Sequence, residues 1–164
     1  MEHETSPFQA PALVWFRNDL RIADNEALVA ACQHSAVVPV YIRQTCGKTR
    51  ALGGARNWWL HKSLSSLSSD LERLGAPLIL LSGDPSDLIP ELVKTTGASA
   101  VYWNRRYDPE HLEADSALKA GLQAEGLIAE SFAGQLLHEP TKLRTGSGTY
   151  YKVYSPFWRA LEPD

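Results

Sequence analysis

Cysteine is scarce in this chain. Cys32 and Cys46 are the two present among 164 residues, too few for a disulfide framework and without the spacing of metal ligands. Such usage fits two reduced thiols in a reducing compartment. Long apolar runs are also missing, and none approaches the roughly 20 residues of a membrane span. The opening MEHETSPFQAPA has no apolar core and so does not read as a secretory signal. Together these absences lead to the expectation of a cytoplasmic protein that does not engage membranes. A basic excess is lacking as well. The formal net charge of −3 argues against a free-standing nucleic-acid binder, though not against DNA contact through another part of a longer protein.

The common catalytic signatures are absent too. No GxGxxG or GxxxxGK[ST] loop follows the first apolar run, so the usual phosphate cradles are missing. GxSxG, HExxH and CxxC do not occur. His34, His61, His111 and His138 are scattered singly and His3 lies in the N-terminal arm, which offers no acid–base pair. Asp19 and Asp84 lack the paired acids that a phospho-acceptor receiver would place after its first strand.

What is present is an ordinary globular composition, 44% apolar and 21% charged, in a chain long enough for one real core. Short continuous apolar runs recur at Ala12–Phe16, Val37–Ile42, Pro77–Leu81 and Ala100–Trp103, with a weaker one at Ile128–Phe132. Continuous rather than alternating apolarity marks strands covered on both faces, hence a parallel sheet. Helical segments separate them. Asp24 is placed to cap a helix through Glu26–Cys32. Leu60, Leu64, Leu67, Leu71 and Leu74 then form one apolar stripe that stops at Gly75. A helix opens at Asp84-Pro85 and closes at Gly97, with Pro90 early enough to be tolerated or to kink it. Another opens at Asp108-Pro109, with Asp108 as N-cap. Strand and helix alternating in this way predict a single α/β domain, a Rossmann-like, doubly wound, five-stranded parallel sheet, and analogy with a half-Rossmann arrangement gives the expected order 3-2-1-4-5.

With that order, the direction of winding switches between strands one and four, and ligands gather beyond the carboxyl ends of strands at such a point. Strand one ends in Phe16-Arg17-Asn18-Asp19 and strand four in Trp103-Asn104-Arg105-Arg106-Tyr107. Any one of these arginines is as well explained by a local ion pair at a solvent-facing strand end. Jointly, three arginines, two asparagines and three aromatics describe an aromatic wall with a few placed polar groups, as a planar ligand requires.

These residues also match a family. LVWFRNDLRIADNEAL closely resembles the opening of the DNA photolyase and cryptochrome family, whose pattern is WFR-x-DLR-x-x-DN. The likeness continues through RNWWLHKSLSSL, GDPSDLIPEL, VYWNRRYDPE and LLHEPTKLRTGSGTYYKVYSPFWRA, in family order, over about residues 12–160. It is nearest in look to bacterial cyclobutane pyrimidine dimer photolyases. The resemblance implies a blue-light-driven repair enzyme in which an amino-terminal α/β domain precedes a helical domain. In the family that helical domain holds the catalytic FAD and binds damaged DNA. The expected organisation is therefore a loose arm at 1–11, the α/β domain at 12–134, and a linker with an aromatic tail at 135–164 leading toward the helical domain. On this reading the 164 residues alone are inactive in repair, and no catalytic or metal-binding residue is assigned to them.

The family's α/β domain holds, in many members, an antenna chromophore: a folate, a deazaflavin or a flavin. The expected slot comprises Phe16, Arg17, Asn18, Arg56, Trp103, Asn104, Arg105, Arg106, Tyr107 and Glu110. Arg56 matches the arginine that deazaflavin-binding members carry at the start of the second helix. Arg106 stands where those members have Asp, and Glu110-His111 stands where a folate-binding branch has Asn-Glu. A phosphate-bearing flavin suits Arg56, Arg105 and Arg106 in charge. A slot without any antenna is equally compatible. Tyr150, Tyr151, Tyr154, Phe157 and Trp158 read either as a strand or hairpin on the chain's own sheet or as a surface for the helical domain. Two alternatives stay open: the same domain of a cryptochrome photoreceptor, and a stand-alone nucleotide-binding α/β module.

Overall fold

A computed structural model describes residues 9–45, 53–134, 136, 138–139 and 142–162. His3 and Cys46 lie outside the described residues; Cys32 is an exposed free thiol. The chain divides into two compact units, residues 1–134 and 135–164.

The first unit holds five strands and four helices among its described residues: β1 Ala12–Phe16, α1 Glu26–Ala31, β2 Val37–Gln44, α2 Gly54–Arg73, β3 Ile79–Gly83, α3 Pro85–Thr96, β4 Ala100–Asn104, α4 Pro109–Ala124 and β5 Ile128–Phe132. The sheet is parallel with order β3-β2-β1-β4-β5, the order expected by analogy with a half-Rossmann arrangement. β1 and β4 are buried along their whole length, the pattern of central strands with helices on both faces. Alternation along each strand divides the core in two. Leu13, Trp15, Val40, Val101 and Trp103 point to the face covered by α3 and α4, where Ile89, Val93 and Leu122 join them. Ala12, Val14, Phe16 and Tyr102 point to the other face, with Ala27, Leu67 and Leu71.

Local chemistry explains the ends of these elements. Asn25, not Asp24, caps α1: its side chain accepts from the Leu28 N–H at 3.2 Å. Asp24 instead occupies a left-handed turn at φ 50°. Asp84 caps α3 by accepting from the Ser86 N–H at 2.9 Å, and Gly97 closes that helix at φ 68°. Asp108 occupies the N-cap position of α4 without a capping hydrogen bond, because its carboxylate is taken by His111. α3 runs through Pro90 uninterrupted. On α2 the leucine stripe buries Leu67 and Leu71, while Leu74, at the helix end, is exposed.

In the second unit, Thr145 and Thr149 close a tight turn through Gly146-Ser147-Gly148, with the Thr149 carbonyl accepting from Thr145 N–H at 2.9 Å. Residues Tyr154–Leu161 form α5. The aromatic tail is thus a helix and not a strand. Tyr154 and Trp158, four positions apart, stack with centroids 6.2 Å apart, and Tyr151 meets Phe157 edge to face.

Candidate functional site

Parallel pairing of β1 with β4 sets Trp15 opposite Trp103, so the chain leaves both strands side by side. The residues that follow are bound to one another. The Arg17 guanidinium is buried and donates through Nη1 to both oxygens of Asp115 on α4, at 2.7 and 2.8 Å, and through Nη2 to the Asn104 carbonyl. The Asp19 carboxylate accepts from the Arg17 N–H at 2.8 Å and from the Asn104 amide at 2.6 Å. That amide also donates to the Asn25 side chain at 2.9 Å, so the α1 cap is locked to the end of β4. The space between the ends of β1 and β4 is therefore filled by protein.

The ten expected slot residues separate accordingly. Phe16 and Trp103 are fully buried in the two core layers, because strand residues alternate between faces and helices cover both. They leave no ring free for a ligand, which removes them from the slot. Asn104 is equally buried, held in the Asp19–Asn25 network. Arg105 turns toward β5 and donates to Ser131, and the Tyr107 hydroxyl donates to the Ala133 carbonyl at 3.1 Å. Arg106 turns the other way. It donates to Gln44 at 2.8 Å and approaches Asp115 at 4.0 Å. Arg17 and Arg106 both lie over the Trp15 ring, at 4.5 and 5.8 Å from its centroid. Burial, and then the Arg17 charge, pull the Arg106 guanidinium well below its ordinary value; burial does the same to Arg17 against the opposing pull of Asp115. Glu110 lies exposed on the first turn of α4.

The remaining three, Arg17, Asn18 and Arg56, share one cleft. It has a volume of about 600 Å³ and lies between the β1–α1 connection, β2 and the first half of α2. Arg21, Tyr41, Trp59 and Ser63 complete its polar and aromatic lining. Arg56, Trp59, Leu60 and Ser63 recur at helical spacing, so one face of α2 forms a wall. Trp59 is 67% exposed, unusual for the largest apolar side chain. Burial raises the Tyr41 phenol above its ordinary value, against the opposing charges of Arg43 and Arg106, so it stays a neutral donor at pH 7. Arg17 forms part of the wall, and its Nε has no hydrogen-bond partner among the described residues. Arg21 is engaged by the Asp24 and Gly134 carbonyls at 2.8 and 2.9 Å. The donors, the exposed indole and the absence of any carboxylate among the described lining residues fit a planar, electron-rich ligand.

Arg21, at the far end of the Arg17–Arg21 stretch expected as the polar lip of the slot, does line the cleft, whereas Tyr41, Trp59 and Asp115 were not among the expected residues. An acid at Asp115, in register with Leu118 and Leu122 on the buried side of α4, is a readable sign of a buried ion pair. Trp59, off the leucine stripe, is a readable sign of a surface that needs a partner. Among the described residues no cluster of side chains could hold a metal ion, and no helix is long and apolar enough to cross a membrane.

Comparison with known proteins adds lineage to this geometry. The DNA photolyase family profile matches residues 12–164. A deoxyribodipyrimidine photo-lyase of Agrobacterium fabrum is 55% identical over 154 residues, covering 93% of this chain and 32% of that protein. Cryptochrome-2 of Arabidopsis thaliana is 36% identical over 90% of this chain and 24% of its own length. A crystal structure of a bacterial class III photolyase from Agrobacterium tumefaciens superposes with TM-score 0.87 and 52% identity, over 100% of this chain and 34% of that one. The chain spans about a third of the length of the photolyases it matches.

Proposed function

This chain belongs to the DNA photolyase family, and from that premise we propose that it is the α/β domain of a deoxyribodipyrimidine photo-lyase. In that role it serves a blue-light-driven, FAD-dependent enzyme that splits cyclobutane pyrimidine dimers in DNA. The catalytic flavin and the damaged DNA belong to a helical domain of the same protein, the partner of this one. The α/β domain contributes the scaffold and the seat of an antenna chromophore.

The observation that carries the reading is the cleft beside α2, with its exposed indole, its arginines and no acid among its described lining residues. When bound there, an antenna absorbs light and passes excitation to the flavin. The protein's own task is to fix the ring system in distance and orientation. Trp59 supplies a flat apolar face, and Asn18, Tyr41 and Ser63 offer hydrogen bonds that set its rotation. The end of β1 behind them is held to α4 by the Arg17–Asp115 pair.

The test is to incubate the purified chain with a folate, a flavin and a deazaflavin and to record absorption and tryptophan fluorescence. Binding of one of them at micromolar concentration, with quenching that disappears in Trp59→Ala, is the expected result. No binding of any of the three would defeat the antenna role. A second reading, a cryptochrome photoreceptor, draws on the Arabidopsis match. Dimer repair by the protein containing this domain separates the two, since a photoreceptor without repair leaves the lesion intact.

A further inference from the structure

α3 and α4 cover the sheet face opposite the one that packs on α2, and a groove of about 380 Å³ runs between them. Pro90, Leu118 and Leu122 give it an apolar floor, and Ala114, Ala117 and Gly121 of α4 form a wall. Those three are exposed, and steps of three and four place them on one side of the helix. Gly121 is the informative member. Glycine weakens a helix interior, and nothing in the domain calls for it here. It lies within regular helix, and a β-carbon on it would meet nothing within 4 Å. A helix surface this bare lets a second helix approach closely.

Charge narrows the kind of helix. Asp84 and Glu125 are the charged lining residues, and both are carboxylates. Exposed acids stand next to other lining positions: Asp87 beside Ser86, Glu91 beside Pro90 and Glu113 beside Ala114. Lys94 on α3 is the exposed cation against them, and Lys119 falls on the side of α4 away from Ala117 and Gly121. Such a rim repels nucleic acid, anionic lipid and the same groove on a second copy. A small ring system is poorly served, because no aromatic lines the groove among the described residues and the Ser86 hydroxyl is already donated to Asp84 at 2.7 Å.

From these features we propose that the α3–α4 groove docks a basic amphipathic helix of another protein. Its aliphatic side chains lie between Pro90 and Gly121, and its lysines or arginines meet Glu91, Glu113 and Glu125. The groove and the cleft beside α2 lie on opposite faces of the sheet, so each can be filled while the other is empty.

The probes are two labelled helical peptides of about 14 residues with the same leucine face, one carrying lysines and the other glutamates. Each is titrated with the 164-residue chain by fluorescence anisotropy at low salt. We expect the lysine peptide to bind at least about tenfold tighter than the glutamate peptide. Gly121→Leu fills the groove without changing the charge and should weaken that binding about tenfold; Glu113→Gln with Glu125→Gln should weaken it about threefold or more. Glu72→Gln, on α2, should leave it unchanged. Equal binding of the two peptides, no binding of either, or lysine-peptide binding that survives Gly121→Leu would overturn the proposal. Loss of the chain's self-association in Gly121→Leu, measured by sedimentation, would assign the groove to a second copy and overturn it as well. The open space around residue 121 means that circular dichroism should show Gly121→Leu folded as the wild type.

Discussion

Arg17 and Asp115 stand 98 positions apart in the chain, yet one guanidinium nitrogen meets both carboxylate oxygens at 2.7 and 2.8 Å. This pair ties the end of the central strand to α4 and turns a strand terminus rich in charge into a buried joint. The two guanidiniums around Asp115 are unequal: Arg17 is paired closely, whereas Arg106 remains 4.0 Å away and relies on Gln44.

Removing Asp115 leaves Arg17 charged, buried and without its counter-ion. We expect Asp115→Asn to lower stability by about 3–5 kcal/mol in urea unfolding. Replacing both partners, as Arg17→Met with Asp115→Leu, should recover most of the loss, because no unpaired charge is then buried. A loss below about 1 kcal/mol for the single variant would show that water reaches this pair and screens it.

Alkaline pH should expose the Tyr41 environment. Folding raises this phenol above the ordinary tyrosine value of about 10, chiefly by burial. Below that pH both folded and unfolded chains keep the proton and the group adds no pH dependence. As pH rises past it, the unfolded chain ionises first, so stability falls. The slope of stability against pH above 10 should be shallower in Tyr41→Phe than in the wild type; identical slopes would refute the assignment.

Gly134 holds a left-handed φ of 60°, and a β-carbon there would lie 2.7 Å from Asn104 Cγ. Its carbonyl also accepts from Arg21. Gly134→Ala therefore combines backbone strain with a collision against a buried network. A loss of at least about 2 kcal/mol is expected, measurable by thermal unfolding. A smaller loss would mean that Asn104 can give way.

Tyr154 is 69% exposed and Trp158 46%, and Tyr150 and Val153 are exposed beside them in sequence. Apolar surface of this kind is commonly covered by a partner. The chain by itself is expected to associate as its concentration rises in sedimentation experiments. Tyr154→Ser combined with Trp158→Ser should shift the equilibrium to monomer. Monomer at every concentration in the wild type would contradict this.

Strand and helix positions were legible because burial on both faces of a strand writes a continuous apolar run, and a one-sided helix writes a stripe such as Leu60–Leu74; strand order came from analogy with a half-Rossmann arrangement. Edges were less so. β2 extends past Ile42 to Gln44, and β3 ends at Gly83 rather than Leu81, because ladder pairs Arg43↔Ser82 and Gln44↔Gly83 continue through polar residues. Apolarity marks the core, whereas backbone hydrogen bonds mark the strand. The cap of α1 was misplaced by one residue for a related reason: Asp24 and Asn25 are both good caps, and the contact between Asn25 and Asn104 at the end of β4 selects the second.

By itself the amino-acid order determined the α/β class, the succession of β1 to β5, the winding of the sheet and the family to which the chain belongs. These depend on periodicity and on local motifs, which neighbouring residues carry. Only the tertiary structure decided which polar groups are available to a ligand. Arg17, Arg105 and Arg106 look equivalent as letters, but Arg17 pairs with Asp115, Arg105 with Ser131 and Arg106 with Gln44. Arg56 and Trp59, on a separate element, are left facing the cleft. Side-chain pairing between distant segments is a property of three-dimensional proximity, and no local pattern encodes which donor will be spent on the protein and which kept for something else.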